Sequence, residues 1–194
     1  MSYHYFSEEI TDQQIEDFAC KVRKKYKLNG QIEVIRFLEL ILSKSDPGTS
    51  IFIHEEGPSG GIDSITDVLA DACVELRFDQ NGKKNTVFHF LDTVYDGARL
   101  KRSEETFSVA HELGHYYLHT LGPGILNNEG RSKVREGNYH YKNIERQADR
   151  FALSFLAPLD QCVGLTVMQI RQLFGLSESR AKSRYREAKK LVTT

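Results

Sequence analysis

His111 and His115 stand four residues apart with Glu112 beside the first of them, and that spacing has meaning only on a helix. There, side chains at i and i+4 project from one face, one turn above the other. The two imidazoles can then share one metal ion, and Glu112 can face the ion's water without being a ligand. Neutral histidine nitrogens bind Zn²⁺, and a carboxylate so placed can take a proton from that water, the arrangement of a hydrolytic zinc site. The chain must therefore supply a helix for His111-Glu112-Leu113-Gly114-His115, a third ligand and a scaffold that joins them.

The helix is well signalled. Ser103 reads as its N-cap, and Glu104 and Glu105 lie in the first turn, where the helix dipole favours acids. Phe107, Ala110, Gly114, Tyr117, Leu118 and Leu121 form its buried flank, and Gly122-Pro123-Gly124 ends it. A second strong helix opens at Asn143, with Ile144, Ala148, Phe151, Ala152, Phe155 and Leu156 as one apolar stripe and Pro158 as its stop. Glu145 and Asp149 share a face beside that stripe. A hydrolytic zinc site needs three protein ligands and one open position. Glu145, near the start of its helix, can be aimed back at the histidines and reads as the third ligand. Asp149 can accept the other ring N–H of a ligand histidine and fix its tautomer. His119, one turn beyond His115, reads as a supporting residue, because a third histidine added to Glu145 would close the site to water.

The remaining chain reads as scaffold. A Thr11/Gln14 capping box opens a helix with Ile15, Phe18, Ala19, Val22 and Tyr26 inward. A second helix spans about Gln31 to Ser43. Ser50–His54, Cys73–Phe78 and Thr86–Leu91 read as strands, and Asn81-Gly82 joins the last two as a hairpin. The expected sheet is small and mainly antiparallel. A short helix is expected near Ile65–Ala70. Gly57-Pro58-Ser59-Gly60-Gly61 lacks the Lys-Ser/Thr that a phosphate-cradling P-loop needs. Ile125–Lys142, polar and without periodicity, reads as a long functional loop. A Thr166/Gln169 capping box then opens a short helix, Gly175 turns the chain, and Ser177 caps a basic helix from Glu178 to about Leu191.

Length and composition set the limits. The 194 residues suit one domain or one domain with a small appendage, and 40% hydrophobic with 27% charged residues describe a soluble globular chain. A net charge of −1 gives no bulk pull toward nucleic acid or membrane. Cys20, Cys73 and Cys162 are odd in number and far apart, which suits thiols in a reducing cytosol. The amino terminus lacks a basic, then apolar, leader, and no apolar run reaches membrane-spanning length. A cytoplasmic location follows as the expectation.

Phe107-Ser108-Val109-Ala110-His111-Glu112-Leu113-Gly114-His115-Tyr116-Tyr117-Leu118-His119 resembles the active-site helix of the ImmA/IrrE family of bacterial and phage metallopeptidases. Glu145-Arg146-Gln147-Ala148-Asp149-Arg150-Phe151-Ala152, running on to Leu156-Ala157-Pro158, resembles that family's second signature. The Glu-x-x-x-Asp spacing is also similar to the gluzincins, whose glutamate is the third ligand and whose aspartate supports a ligand histidine. The resemblance implies an α+β, zincin-like metallopeptidase: N-terminal helices, a small sheet, the HExxH helix, a glutamate-bearing helix and a C-terminal helix pair. It implies one Zn²⁺ held by His111, His115 and Glu145, with Glu112 as the catalytic base and Asp149 in support. Tyr116, His119, Tyr139, His140 and Tyr141 are candidates, by residue type, for a donor to the oxyanion. The implied activity is endopeptidase cleavage of a cytoplasmic regulatory protein, a helix-turn-helix repressor or an antitoxin-like partner. Two segments, Ile62–Asp71 and Ile125–Lys142, depart from the family pattern by their length.

Residues 1–160 are expected to form the metallopeptidase domain, with 161–194 packed on it as a helix-turn-helix-like segment. Ile170-Arg171-Gln172-Leu173-Phe174-Gly175-Leu176-Ser177 resembles the first helix and turn of such a motif. Seven basic residues fall between Arg171 and Lys190 against Glu178 and Glu187. Arg171 stands where these motifs keep a small residue, so packing or partner docking is favoured over DNA binding. The alternative to proteolysis is a regulator that uses the same scaffold to bind a repressor or DNA without cutting.

Overall fold

The structure, a computed structural model, describes residues 10–45, 48–55, 71–78, 80, 82, 84–120 and 138–192; within these, the side chains of 44, 45, 76, 78, 84, 120 and 138–143 are not described. Thr11 and Gln14 exchange both bonds of a capping box, and α1 (Asp12–Lys25) follows. α2 (Val34–Ser45) begins three residues later than its apolar spacing indicates. Gln31 packs against Gly175 instead, and Ile32 is buried ahead of the helix.

The three strands are β1 (Thr49–His54), β2 (Ala72–Phe78) and β3 (Lys84–Leu91), in the order β1-β3-β2. β2 and β3 form the antiparallel pair that Asn81-Gly82 announces, with Val74 opposite Phe88. β1 pairs parallel to β3, with Ile51 opposite Phe88, so the sheet is mixed and not mainly antiparallel. The hairpin is a local decision, whereas the place of β1 is set by burial at long range. Ile51, Phe88, Phe90 and Val74 turn to the helical core. On the other face, His89 joins His54 at 2.9 Å and Glu75 at 3.1 Å, under the ring of Phe52.

α3 (Asp92–Arg99) follows the sheet, then α4 (Ser103–His115), whose N-cap is Arg102 and not Ser103. α4 does not run on as an α-helix to Leu121. Tyr116–Thr120 forms a π-helical turn, and the wider turn buries Tyr116, Tyr117, Leu118 and His119 in succession. α5 (Asn138–Leu156) starts earlier than Asn143, because its first residues are polar and carry no stripe to reveal them. The expected loop therefore ends before Asn138. The Gly57–Gly61 loop, the helix expected near Ile65–Ala70, the long segment Ile62–Asp71 apart from Asp71 itself, and residues 121–137 lie outside the described residues.

α6 (Leu159–Cys162), α7 (Val167–Phe174) and α8 (Glu178–Val192) complete the chain. Thr166 and Gln169 form the second capping box, and Gly175 ends α7 in the left-handed conformation, φ 69°. Two basic residues of α8 face inward. Arg180 lies 3.6 Å from the centre of the Phe107 ring on α4 and pairs with Glu104. Arg184, fully buried, bonds both carboxylate oxygens of Glu16 at 2.7 Å, and the Ala157 carbonyl and Glu187. Between them, Phe18, Tyr117, Phe151, Phe155 and Phe37 form a continuous aromatic core. Among the described residues, no helix is long and apolar enough to cross a membrane.

Candidate metal centre

Two helices make the site, and a glycine sets how closely they meet. A Cβ placed on Gly114 of α4 would lie 2.9 Å from the Cα and carbonyl oxygen of Ala148 on α5. Real side chains do not come that near to backbone, so only glycine allows this approach. With the axes this close, Glu145 and Asp149 reach the histidine face of α4.

The structure brings His111, His115 and Glu145 together, one donor atom from each lying within 4.8 Å of the others. His111 Nε2 lies 2.9 Å from His115 Nε2 and 3.1 Å from Glu145 Oε2, and His115 Nε2 lies 3.4 Å from Glu145 Oε1. A tetrahedral zinc ion with its usual ligand distances spaces its donor atoms about 3.3 Å apart. The donor set therefore fits such an ion in both type and spread. Asp149 Oδ1 lies 2.8 Å from His111 Nδ1, which places the ring proton on Nδ1 and leaves Nε2 facing its neighbours.

The electrostatics point the same way. Burial opposes charge on His111, but its bonds to Asp149 and Glu145 outweigh burial and push it up to about 10. Burial likewise opposes charge on Glu145, yet the two histidines hold it well below the usual carboxylate range. Both shifts have one cause, a cluster of donors that favours positive charge among them, the demand a metal ion would meet.

Glu112 is buried, and burial raises its pKa against the opposing pull of His115 and His111. The backbone N–H of Val74, on the edge strand β2, bonds its carboxylate. Val74 is the contributor that the sequence does not mark, because a main-chain donor leaves no side-chain signal. Of the remaining candidates, Tyr116 is buried against Phe88 and Tyr117, and the His119 ring lies 5.7 Å from that of His115. Tyr139, His140 and Tyr141 fall in the first turn of α5, and their side chains are outside the described residues.

A family model described as the IrrE N-terminal-like domain matches residues 74–184, more than half of the chain. Among solved structures, a Mycobacterium tuberculosis transcriptional regulator aligns with a TM-score of 0.51 and 15% identity, covering 89% of this chain and 46% of that one. The chain spans less than half the length of that regulator, and at this identity the likeness is one of fold. No curated protein matches the chain.

Proposed function

The chain belongs to the ImmA/IrrE family, the family of the IrrE N-terminal-like domain, and from that premise we propose that it is a zinc-dependent endopeptidase acting on a regulatory protein. The observation that carries this reading is the convergence of His111, His115 and Glu145, with Glu112 adjacent and Asp149 behind His111. When bound, zinc supplies Lewis acidity to a carbonyl and acidifies a water in its open position. Every other task falls to the protein. The Nδ1–H of His111 donates to Asp149, so its Nε2 presents a lone pair. Glu112 takes the proton of the attacking water and returns it to the leaving amine. Its burial favours the first of these transfers, since a carboxylate whose pKa is raised is a stronger base than an exposed one. The Val74 N–H holds that carboxylate in place.

A donor to the developing oxyanion completes such a site. Tyr116 lies in the core, so the donor is sought among His119, Tyr139, His140 and Tyr141. Residues 1–160 would form the zincin-like unit and 161–194 its packed C-terminal segment, acting in the cytoplasm on a helix-turn-helix repressor or an antitoxin-like protein. Cleavage of a co-expressed repressor, dependent on zinc and lost with the chelated enzyme, tests this. Asp149→Asn is expected to weaken zinc affinity roughly 10–100-fold, because the amide no longer orients His111 as a carboxylate does. Competition with a zinc-sensitive dye reads that change, and an unchanged affinity would remove Asp149 from the site.

A second reading, a regulator that binds a repressor or DNA without cutting, draws on the name of the similar structure and on the basic α8. The inward turn of Arg180 and Arg184 weighs against DNA. If derepression survives Glu112→Gln, this second reading replaces the first.

A further inference from the structure

We propose that a second site, apart from the metal centre, binds a small phosphate-type oxyanion in the cavity beside the last turn of α1. The cavity, about 220 Å³, is lined among others by Cys20, Arg23, Lys24, Lys27, Asp160 and Gln161. It lies at the far end of α5 from Glu145, about 16 Å along the helix at 1.5 Å per residue.

Arg23 carries the argument. It is 2% exposed, and its guanidinium donates only to main-chain carbonyls: Phe155 at 2.7 Å, Leu156 at 3.3 Å and Gly30 at 3.1 Å. Its Nε has no partner among the described residues. The other fully enclosed arginine, Arg184, is neutralised by Glu16 and Glu187. A buried charge without a counter-charge costs several kcal/mol, and Arg23 has no carboxylate at bonding distance among the described residues. Lys24 and Lys27 add two more cations, neither in an ion pair among the described residues, against the single carboxylate of Asp160.

Two ordinary explanations cover part of this. Basic residues in a last turn complement the helix dipole, and Arg23 caps the bare carbonyls of α5. Neither requires a buried guanidinium without a counter-charge in a residue that lines a cavity. Lys27 also adopts φ 55°, a left-handed conformation that glycine takes without cost. Lys27 nonetheless lines the cavity. With Arg23 consuming the Phe155 and Leu156 carbonyls, the end of α5 offers an anion little repulsion.

Calorimetric titration of the full chain with inorganic phosphate at constant ionic strength tests the proposal. One saturable site is expected, weakened at least roughly tenfold in Lys24→Gln/Lys27→Gln and unchanged in Lys21→Gln/Lys25→Gln, which removes the same charge from the same helix outside the cavity. Absence of saturable binding would overturn it. So would binding indifferent to Lys24 and Lys27, which would place the phosphate elsewhere, the metal centre included. Equal weakening by both pairs would reduce it to general charge attraction and overturn it too.

Discussion

Glu112→Gln is expected to abolish peptide hydrolysis while zinc stays bound. The amide has the shape of the carboxylate and can still accept the Val74 N–H. It cannot take a proton from water at neutral pH. Loss of a positioned general base lowers kcat by roughly 10²–10⁴, about 3–5 kcal/mol of barrier. KM and zinc content should barely move, because Glu112 is not among the three donors that converge. Turnover of a peptide substrate by wild type and variant, each checked for bound zinc, reads this. A variant retaining most of its kcat would mean that another group is the base.

The second large effect concerns stability. Glu16 on α1 accepts bonds from Arg184, Arg150, the Ser154 hydroxyl and the Leu159 amide, so one buried carboxylate ties α1, α5, α6 and α8. Glu16→Ala leaves Arg184 enclosed with only part of its compensation. Breaking one partner of a buried pair costs about 3–5 kcal/mol, which in a chain of this size lowers Tm by roughly 10 °C. Replacing both partners by apolar residues, Glu16→Leu/Arg184→Met, removes the stranded charge and is expected to recover much of that loss. Thermal unfolding followed by circular dichroism separates the outcomes. A shift of about 1 °C for Glu16→Ala would show that the network contributes little.

These two residues also mark how far the sequence can be read. Glu112 lies in a local pattern whose chemistry fixes its spacing. The histidines beside it, and Glu145 on the helix that packs against theirs, can be named without coordinates. Glu16 and Arg184 are 168 positions apart, and each reads locally as a charge on a solvated helix face. Only the fold turns them inward.

The same division holds for the elements. The Thr11/Gln14 and Thr166/Gln169 boxes and the Asn81-Gly82 hairpin are local and legible. α3 is not, because its N-cap Leu91 makes no side-chain bond and only Val94, Gly97 and Ala98 are buried. The parallel place of β1 depends on contacts far along the chain. The π-helical turn after His115 buries four consecutive residues, which no helical period indicates. At the candidate centre, Gly114 lies inside the motif, yet the reason it must be glycine is the backbone of Ala148.

Zinc content of the purified chain, measured by elemental analysis beside Glu145→Ala, tests the metal centre most directly. About one zinc per chain is expected in the wild type, and a large loss in the variant, whose two remaining histidines fall short of the three ligands such a site uses. Equal zinc in both would contradict Glu145 as a ligand. No zinc in a folded wild-type chain reconstituted with the metal would contradict the centre itself.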